Sequence, residues 1–203
     1  MKRRNFISTT ALGFSVLNAS TFASAQNNTA MSLQPFYIPP QEPLTPGAGN
    51  ADIRTIIHAD QTNKQFSNIE GALAPKQMGP APHMHESLDE LMYVLEGKAT
   101  VMIGEKIYEV EAGGWNFRPR QIVHSFWNAS DKPLRFIDCF FNQNFEDYLE
   151  ELFHQIIPEM MKNNLTPTTP EIANRIAILD KKFGVTWFND RRQAIVDKYN
   201  LHA

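Results

Sequence analysis

Between Ile53 and Gln143 the chain is cut into short strand-like runs, separated by turn signals at Glu96-Gly97-Lys98, Gly104-Glu105-Lys106 and Gly113-Gly114. This spacing is the tightest constraint the sequence carries. Runs this short are strand-sized, and turns this close bring each run back beside its predecessor. The segment therefore predicts an all-β core built as an antiparallel sandwich or barrel. After Asn144 the period changes from two to between three and four. Phe145, Tyr148, Leu149, Leu152, Phe153, Ile156, Ile157, Met160 and Met161 form one apolar stripe of a helix, with Pro158 set to kink or divide it. Thr169-Pro170-Glu171 opens a second helix that ends near Gly184, and a third begins at Asn189 or Asp190 and runs to Tyr199. The stripe serves either core packing against the β-structure or a subunit interface.

Ahead of the strands, Pro35, Pro39, Pro40, Pro43 and Pro46 make residues 26–52 an extended arm, laid over the domain or over a partner. Residues 1–25 read as an address. Lys2-Arg3-Arg4 is a basic n-region, a weakly apolar stretch follows, and Ala23-Ser24-Ala25 supplies the small-x-small cleavage pattern. Arg3-Arg4-Asn5-Phe6-Ile7 also resembles the twin-arginine export signal, which implies a protein exported already folded, to the periplasm. The stretch is too short and too polar for a membrane span, so no membrane partner is expected in the mature form. A net charge of −3 over 203 residues argues against nucleic acid. The single cysteine, Cys139, has no partner for an intrachain disulfide, so stability must come from packing or from a metal.

Chemistry concentrates in three of the six histidines. His83 and His85 are two apart, so on a strand both imidazoles project from one face. Glu90 shares parity with Met92 and Val94; if those face the interior, so does the carboxylate. Burying it is costly without a partner such as a dication. His124, sharing parity with Ile122 and Phe126, brings a third imidazole from a later run. Three imidazoles and one carboxylate suit first-row divalent ions, and iron, manganese, nickel, copper and zinc all accept the set. The plain alternative is a surface or satisfied core pair of histidines. His58, His154 and His202 lack companions and are not expected to be ligands. Parity alone also places Met92, Phe117 and Phe126 in a pocket lining or in the core.

Residues 83–97 read His-x-His-x4-Glu-x6-Gly, and residues 113–128 read Gly-x5-Pro-x4-His-x3-Asn. In that order the two resemble the paired motifs of the cupin family, over roughly residues 55–142, and 15 residues separate Gly97 from Gly113. The resemblance implies a single jelly-roll β-barrel over 53–143 followed by α-helices over 144–203. It also implies one divalent transition-metal ion held by His83, His85, Glu90 and His124. Two turn positions depart from the family pattern: Gln77 stands where a glycine opens the first motif, with Gly79 displaced, and Gln121 replaces the glycine after Pro119.

Cupins that resemble this chain include dioxygenases, decarboxylases, isomerases and proteins without known catalysis. The leading expectation is a metal-dependent oxidoreductase of the quercetin-dioxygenase-like kind, acting on a small enolisable or aromatic compound. In it Glu90 is ligand and, if displaced, proton acceptor. A non-catalytic ligand-binding cupin and a metal-dependent isomerase or decarboxylase are the alternatives. A homodimer is expected from the width of the helical stripe.

Overall fold

The computed structural model describes residues 33–202. The export signal and the first residues of the arm lie outside the described residues. Among the described residues, eleven strands form two antiparallel sheets facing each other. The first contains β1 (Ala51–Ile57), β2 (Phe66–Leu73), β5 (Asp89–Glu96), β8 (Trp115–Arg118) and β10 (Leu134–Phe141), in the order β1-β2-β10-β5-β8. The second contains β4 (His83–His85), β6 (Lys98–Ile103), β7 (Lys106–Glu111), β9 (His124–Asn128) and β11 (Val185–Trp187), in the order β11-β4-β9-β6-β7, with the short β3 (Gln77–Met78) also on β9. This is the antiparallel sandwich expected from the turn spacing, in the jelly-roll form that the cupin resemblance implies.

The strands alternate as half-buried strands should. In β5, Glu90, Met92 and Val94 are buried; in β10, Leu134, Phe136, Asp138 and Phe140. Strand β9 breaks the alternation, with only Phe126 less than buried, because its outer face is covered too. Trp127 packs there with Met78, Val196 and Leu201 from the C-terminal end of the chain. Gly97, which closes the first motif, sits at φ +78 between β5 and β6, a turn conformation open to glycine at little cost.

The C-terminal segment contains α1 (Glu146–Glu151), α2 (Ile157–Asn163), α3 (Pro170–Phe183) and α4 (Arg192–Tyr199). Pro158 divides the first apolar stripe as anticipated. Its missing N–H interrupts the helical ladder, and a π-turn over Leu152–Ile156 stands where that bond is lost. Strand β11 is a feature the periodicity did not announce. Three residues, Val-Thr-Trp, follow the left-handed Gly184 cap and pair with β4, covering its free edge. The described part of the arm is extended and mostly exposed, and it is pinned near β1 and β2. There the Leu44 N–H donates to Glu70 Oε1 (3.1 Å) and Arg54 Nη2 to the Glu42 carbonyl (3.0 Å). Among the described residues no helix is long and apolar enough to cross a membrane.

Candidate metal centre

Strand β4 points both of its histidines inward, as their spacing requires, and His124 of β9 stands directly opposite His83 in the ladder. Glu90 reaches toward them from β5 in the facing sheet. All four are buried, and one ligand atom from each lies within 4.8 Å of the others. Two carbonyls set the tautomers. His83 Nδ1 is 2.9 Å from the Ala81 carbonyl and His124 Nδ1 is 2.9 Å from that of Ile122. A carbonyl only accepts, so each Nδ1 carries a proton, which leaves each Nε2 as the nitrogen turned toward the centre.

His124 Nε2 is 2.6 Å and His85 Nε2 3.8 Å from Glu90 Oε2, yet none of these three buried atoms has an aligned hydrogen bond. Buried polar atoms converging without aligned partners leave a desolvation cost uncompensated, and a divalent cation compensates it. The residues fit a metal. Protonation agrees with that. Burial, helped by repulsion from His124 and His85, drives His83 well below the ordinary histidine range. Burial also takes His85 down to about 4, against the pull of Glu90. For Glu90 burial pushes upward, but the Arg118 guanidinium and the neighbouring imidazoles outweigh it and hold the carboxyl well below its usual range. Neutral imidazoles with an ionised carboxylate are what metal ligation needs.

Behind Glu90 is a pair that sequence reasoning missed. Arg118, opposite Glu90 in the β5–β8 register, is fully buried. Its Nη2 donates to both oxygens of Asp138 at 2.5 Å, and its Nε is 3.5 Å from Glu90 Oε2 without an aligned hydrogen bond. Burial raises the Asp138 carboxyl to about 6, with Arg118 pulling it down and Glu90 pushing it up. The signal was available. Asp138 shares parity with Phe136 and Phe140, the argument that turned Glu90 inward. Phe117 needs correction: it is 53% exposed on the outer face of β8, beside Trp115, and is not among the residues lining the cavity next to the candidate ligands. The aromatic side chains suggested an inward face, whereas the ladder turns Asn116 and Arg118 inward, and Asp138 is what makes a buried arginine tolerable. Ile122, before β9, is also exposed.

Residues 70–140 match the family model described as Cupin domain. Over those residues the chain is similar to the cupin domain family. A curated relative, an uncharacterised protein of Methanocaldococcus jannaschii, is 24% identical over 87 residues, which is 43% of this chain and 70% of that one. Among solved structures, KdgF from a Halomonas species aligns at 17% identity and a TM-score of 0.44, covering 49% of this chain and 84% of its own. A predicted oxalate decarboxylase of Thermotoga maritima aligns at 20% identity and a TM-score of 0.43, covering 45% and 79%.

Both departures from the cupin motifs are accommodated by the backbone. Gln121 holds φ +62, the left-handed conformation that makes glycine usual there, and its N–H donates to the His85 carbonyl (2.8 Å). A Cβ on Gly79 would come within 2.4 Å of the Phe126 carbonyl, so the close approach to β9 is made here, two residues after Gln77. The barrel holds a partly open cavity of about 300 Å³. His83, Glu90, Arg118 and Asp138 form its polar wall, and Phe126, Phe136 and Phe140 lie among its apolar ones. Tyr148, Leu149, Leu152, Phe153 and Ile157 also line it, so part of the helical stripe roofs the cavity, while Met161 is 54% exposed. Met92 is buried elsewhere, packed with Val94 and Val101. His154 lies on an exposed helix face against Glu150 (2.6 Å), away from the centre.

Proposed function

We propose that this cupin holds one divalent transition-metal ion on His83, His85, Glu90 and His124. We further propose that it works as an oxidoreductase of the dioxygenase kind on a small enolisable or aromatic compound. The observation that carries the reading is the convergence of unpartnered buried nitrogen and oxygen atoms at the wall of an otherwise apolar cavity. A bound dication supplies Lewis acidity to a substrate oxygen. The protein's own groups do the rest. The Ala81 and Ile122 carbonyls keep two imidazoles aimed at the centre. The aromatic and aliphatic walls exclude water and hold a ring against the polar wall, lowering the cost of orientation. Glu90, kept ionised by Arg118, is a ligand first; if displaced from that role, its Oε2 is where a substrate proton can rest.

Elemental analysis joined to oxygen uptake tests this. Mature protein should carry about one divalent ion per chain, and His83→Ala/His124→Ala should carry none above background. Glu90→Gln should lose turnover more than it loses metal, because an amide oxygen still ligates weakly but accepts no proton at neutral pH. Conversion without oxygen uptake would move the assignment to an isomerase or decarboxylase. Binding without conversion would make the barrel a ligand-binding module. Full metal content in the double variant would remove the site altogether. The same proposal places the protein in the periplasm as a homodimer. Loss of export in Arg3→Lys/Arg4→Lys and a two-chain mass in sedimentation are the results expected.

A further inference from the structure

Strand β11 lies outside residues 70–140, the stretch similar to the cupin domain, yet it brings a side chain to the candidate site. It pairs antiparallel with β4, in a register that sets Trp187 opposite His83. The Glu86 N–H donates to the Gly184 carbonyl (3.0 Å) and the Phe188 N–H to the Pro82 carbonyl (2.8 Å), so both ends of β11 are tied to the flanks of β4. Thr186 is exposed, and alternation therefore turns Val185 and Trp187 to the inner face, where both border the cavity. The Trp187 indole lies against the His83 imidazole, ring centroids 4.9 Å apart and planes 36° from parallel. It also packs on the apolar cluster that holds Leu88, Phe145 and Phe183.

An indole carries one polar group, an N–H that only donates. In Trp187 this Nε1 is buried and has no acceptor. A buried donor without a partner carries a desolvation cost that a plain aromatic ring would not incur. Trp127 has the same unpartnered atom, but it packs among Met78, Val196 and Leu201 and does not border the cavity. Trp187 differs in standing beside space that a ligand can fill and beside a candidate metal ligand. An oxygen arriving there satisfies the N–H, whereas a purely apolar molecule leaves it orphaned. The rest of the wall, with Ile53, Ile69, Phe136 and Leu152, asks for apolar surface.

We propose that Trp187 is a specificity-determining residue of this cavity: its indole N–H donates to a carbonyl or hydroxyl oxygen of a ligand whose body is apolar. The proposal rests on the reading of the cavity as the substrate site, and it adds an oxygen acceptor to what the substrate must carry.

A binding cycle tests it on the protein as purified, with metal content measured in the same samples. Acetophenone and ethylbenzene have nearly the same shape, and the first alone carries an oxygen acceptor. Wild-type protein should favour acetophenone. Trp187→Phe, which keeps a ring beside His83 and removes the N–H, should lower that preference about tenfold. Any bond from the acetophenone oxygen to a metal is common to both proteins and cancels in the cycle. Ethylbenzene affinity and metal content should stay as in wild type. In heteronuclear spectra of zinc-loaded protein, the indole signal missing from Trp187→Phe should move downfield with acetophenone and not with ethylbenzene. An unchanged preference in Trp187→Phe, or equal loss of both probes, would overturn the donor role and leave the ring as packing. Loss of metal with the preference intact would overturn it too, making the ring a support for His83. A wild-type protein that binds neither probe would overturn the cavity as the ligand's place. Protein without metal that still shows the cycle would bear out the donor while removing the metal reading above.

Discussion

The two ends of the barrel interior share strands β5 and β10 and do opposite things. At one end Leu73, Met92, Val94, Ala99, Val101, Val110, Leu134 and Phe136 pack as a continuous apolar core. Toward the other, inward positions of β5 and β10 carry Glu90 and Asp138, joined by Arg118 of β8, with the three histidines facing them. Strand β5 crosses from one regime to the other within a single alternation, Val94 and Met92 on one side and Glu90 on the other. The difference teaches that strand parity decides which side chains are buried but not what they do there. One end supplies the burial that holds the sheets together. The other accepts buried charge and unpartnered atoms for the sake of a site.

The largest effect that would break this comparison is at the charged end. Asp138→Ala leaves Arg118 without the partner that satisfies it in the interior. We expect a loss of about 3–5 kcal/mol in urea denaturation of the metal-free protein. A loss below about 1 kcal/mol would mean that the pair is solvated in a way its burial does not indicate.

At the apolar end, Met92→Ala should cost about 2–5 kcal/mol through lost burial and an unfilled cavity. It should leave metal content per folded chain unchanged, since Met92 is not one of the candidate ligands and does not line the cavity. A Met92→Ala protein that keeps its stability but loses metal would show that the two ends are not separable.

Acid gives a smaller and graded test. The folded values of His83 and His85 are lowered, the second to about 4, while unfolded histidine titrates near ~6.5. As pH falls below ~6.5 the unfolded chain takes up protons that the folded one refuses, so stability is lost. Asp138 works the other way. It binds a proton at about 6 when folded and near ~3.9 when unfolded, so it gains stability as pH falls through that range. Two histidines against one aspartate leave a net difference of about one proton between ~pH 6 and ~4.5. The metal-free protein should therefore lose about 1.4 kcal/mol per pH unit on acidification. Denaturant midpoints at several pH values measure the slope, and a flat or rising profile would show that the imidazoles are not buried as neutral groups.

How much of this was legible in the chain follows from the same contrast. Turn spacing announced the strands, and the two motifs announced His83, His85, Glu90 and His124, because short-range order in sequence becomes short-range order in a ladder. Pro158 announced a division in the helix. The Arg118–Asp138 pair was not read, because its members are twenty residues apart and each is explained only by the other. Strand β11 was not read because three residues carry no period, and their pairing with β4 is decided by an edge that needs cover. The cavity roof was half legible: the stripe from Phe145 to Met161 was visible, but what it faces depends on where the helix docks.

The smallest expected effect tests the point on which the site depends most. Parity placed Phe117 and Phe126 together in the interior, whereas the structure puts Phe117 outside at 53% exposure. Phe126 lies against Phe136 (ring centroids 5.1 Å apart) at the cavity wall. Phe126→Ala should thus cost about 3–5 kcal/mol, the usual figure for an interior aromatic. Phe117→Ala should change stability by no more than about 0.5 kcal/mol, as at an ordinary surface position. The pair of measurements reports the register of β8 against β5. A slip of one residue would turn every side chain of β8 over, bringing Phe117 in and carrying Arg118 out to solvent. A Phe117→Ala variant that loses several kcal/mol would therefore do more than correct one residue. It would detach Arg118 from Asp138 and Glu90 and so take apart the buried charged pair behind the candidate metal centre.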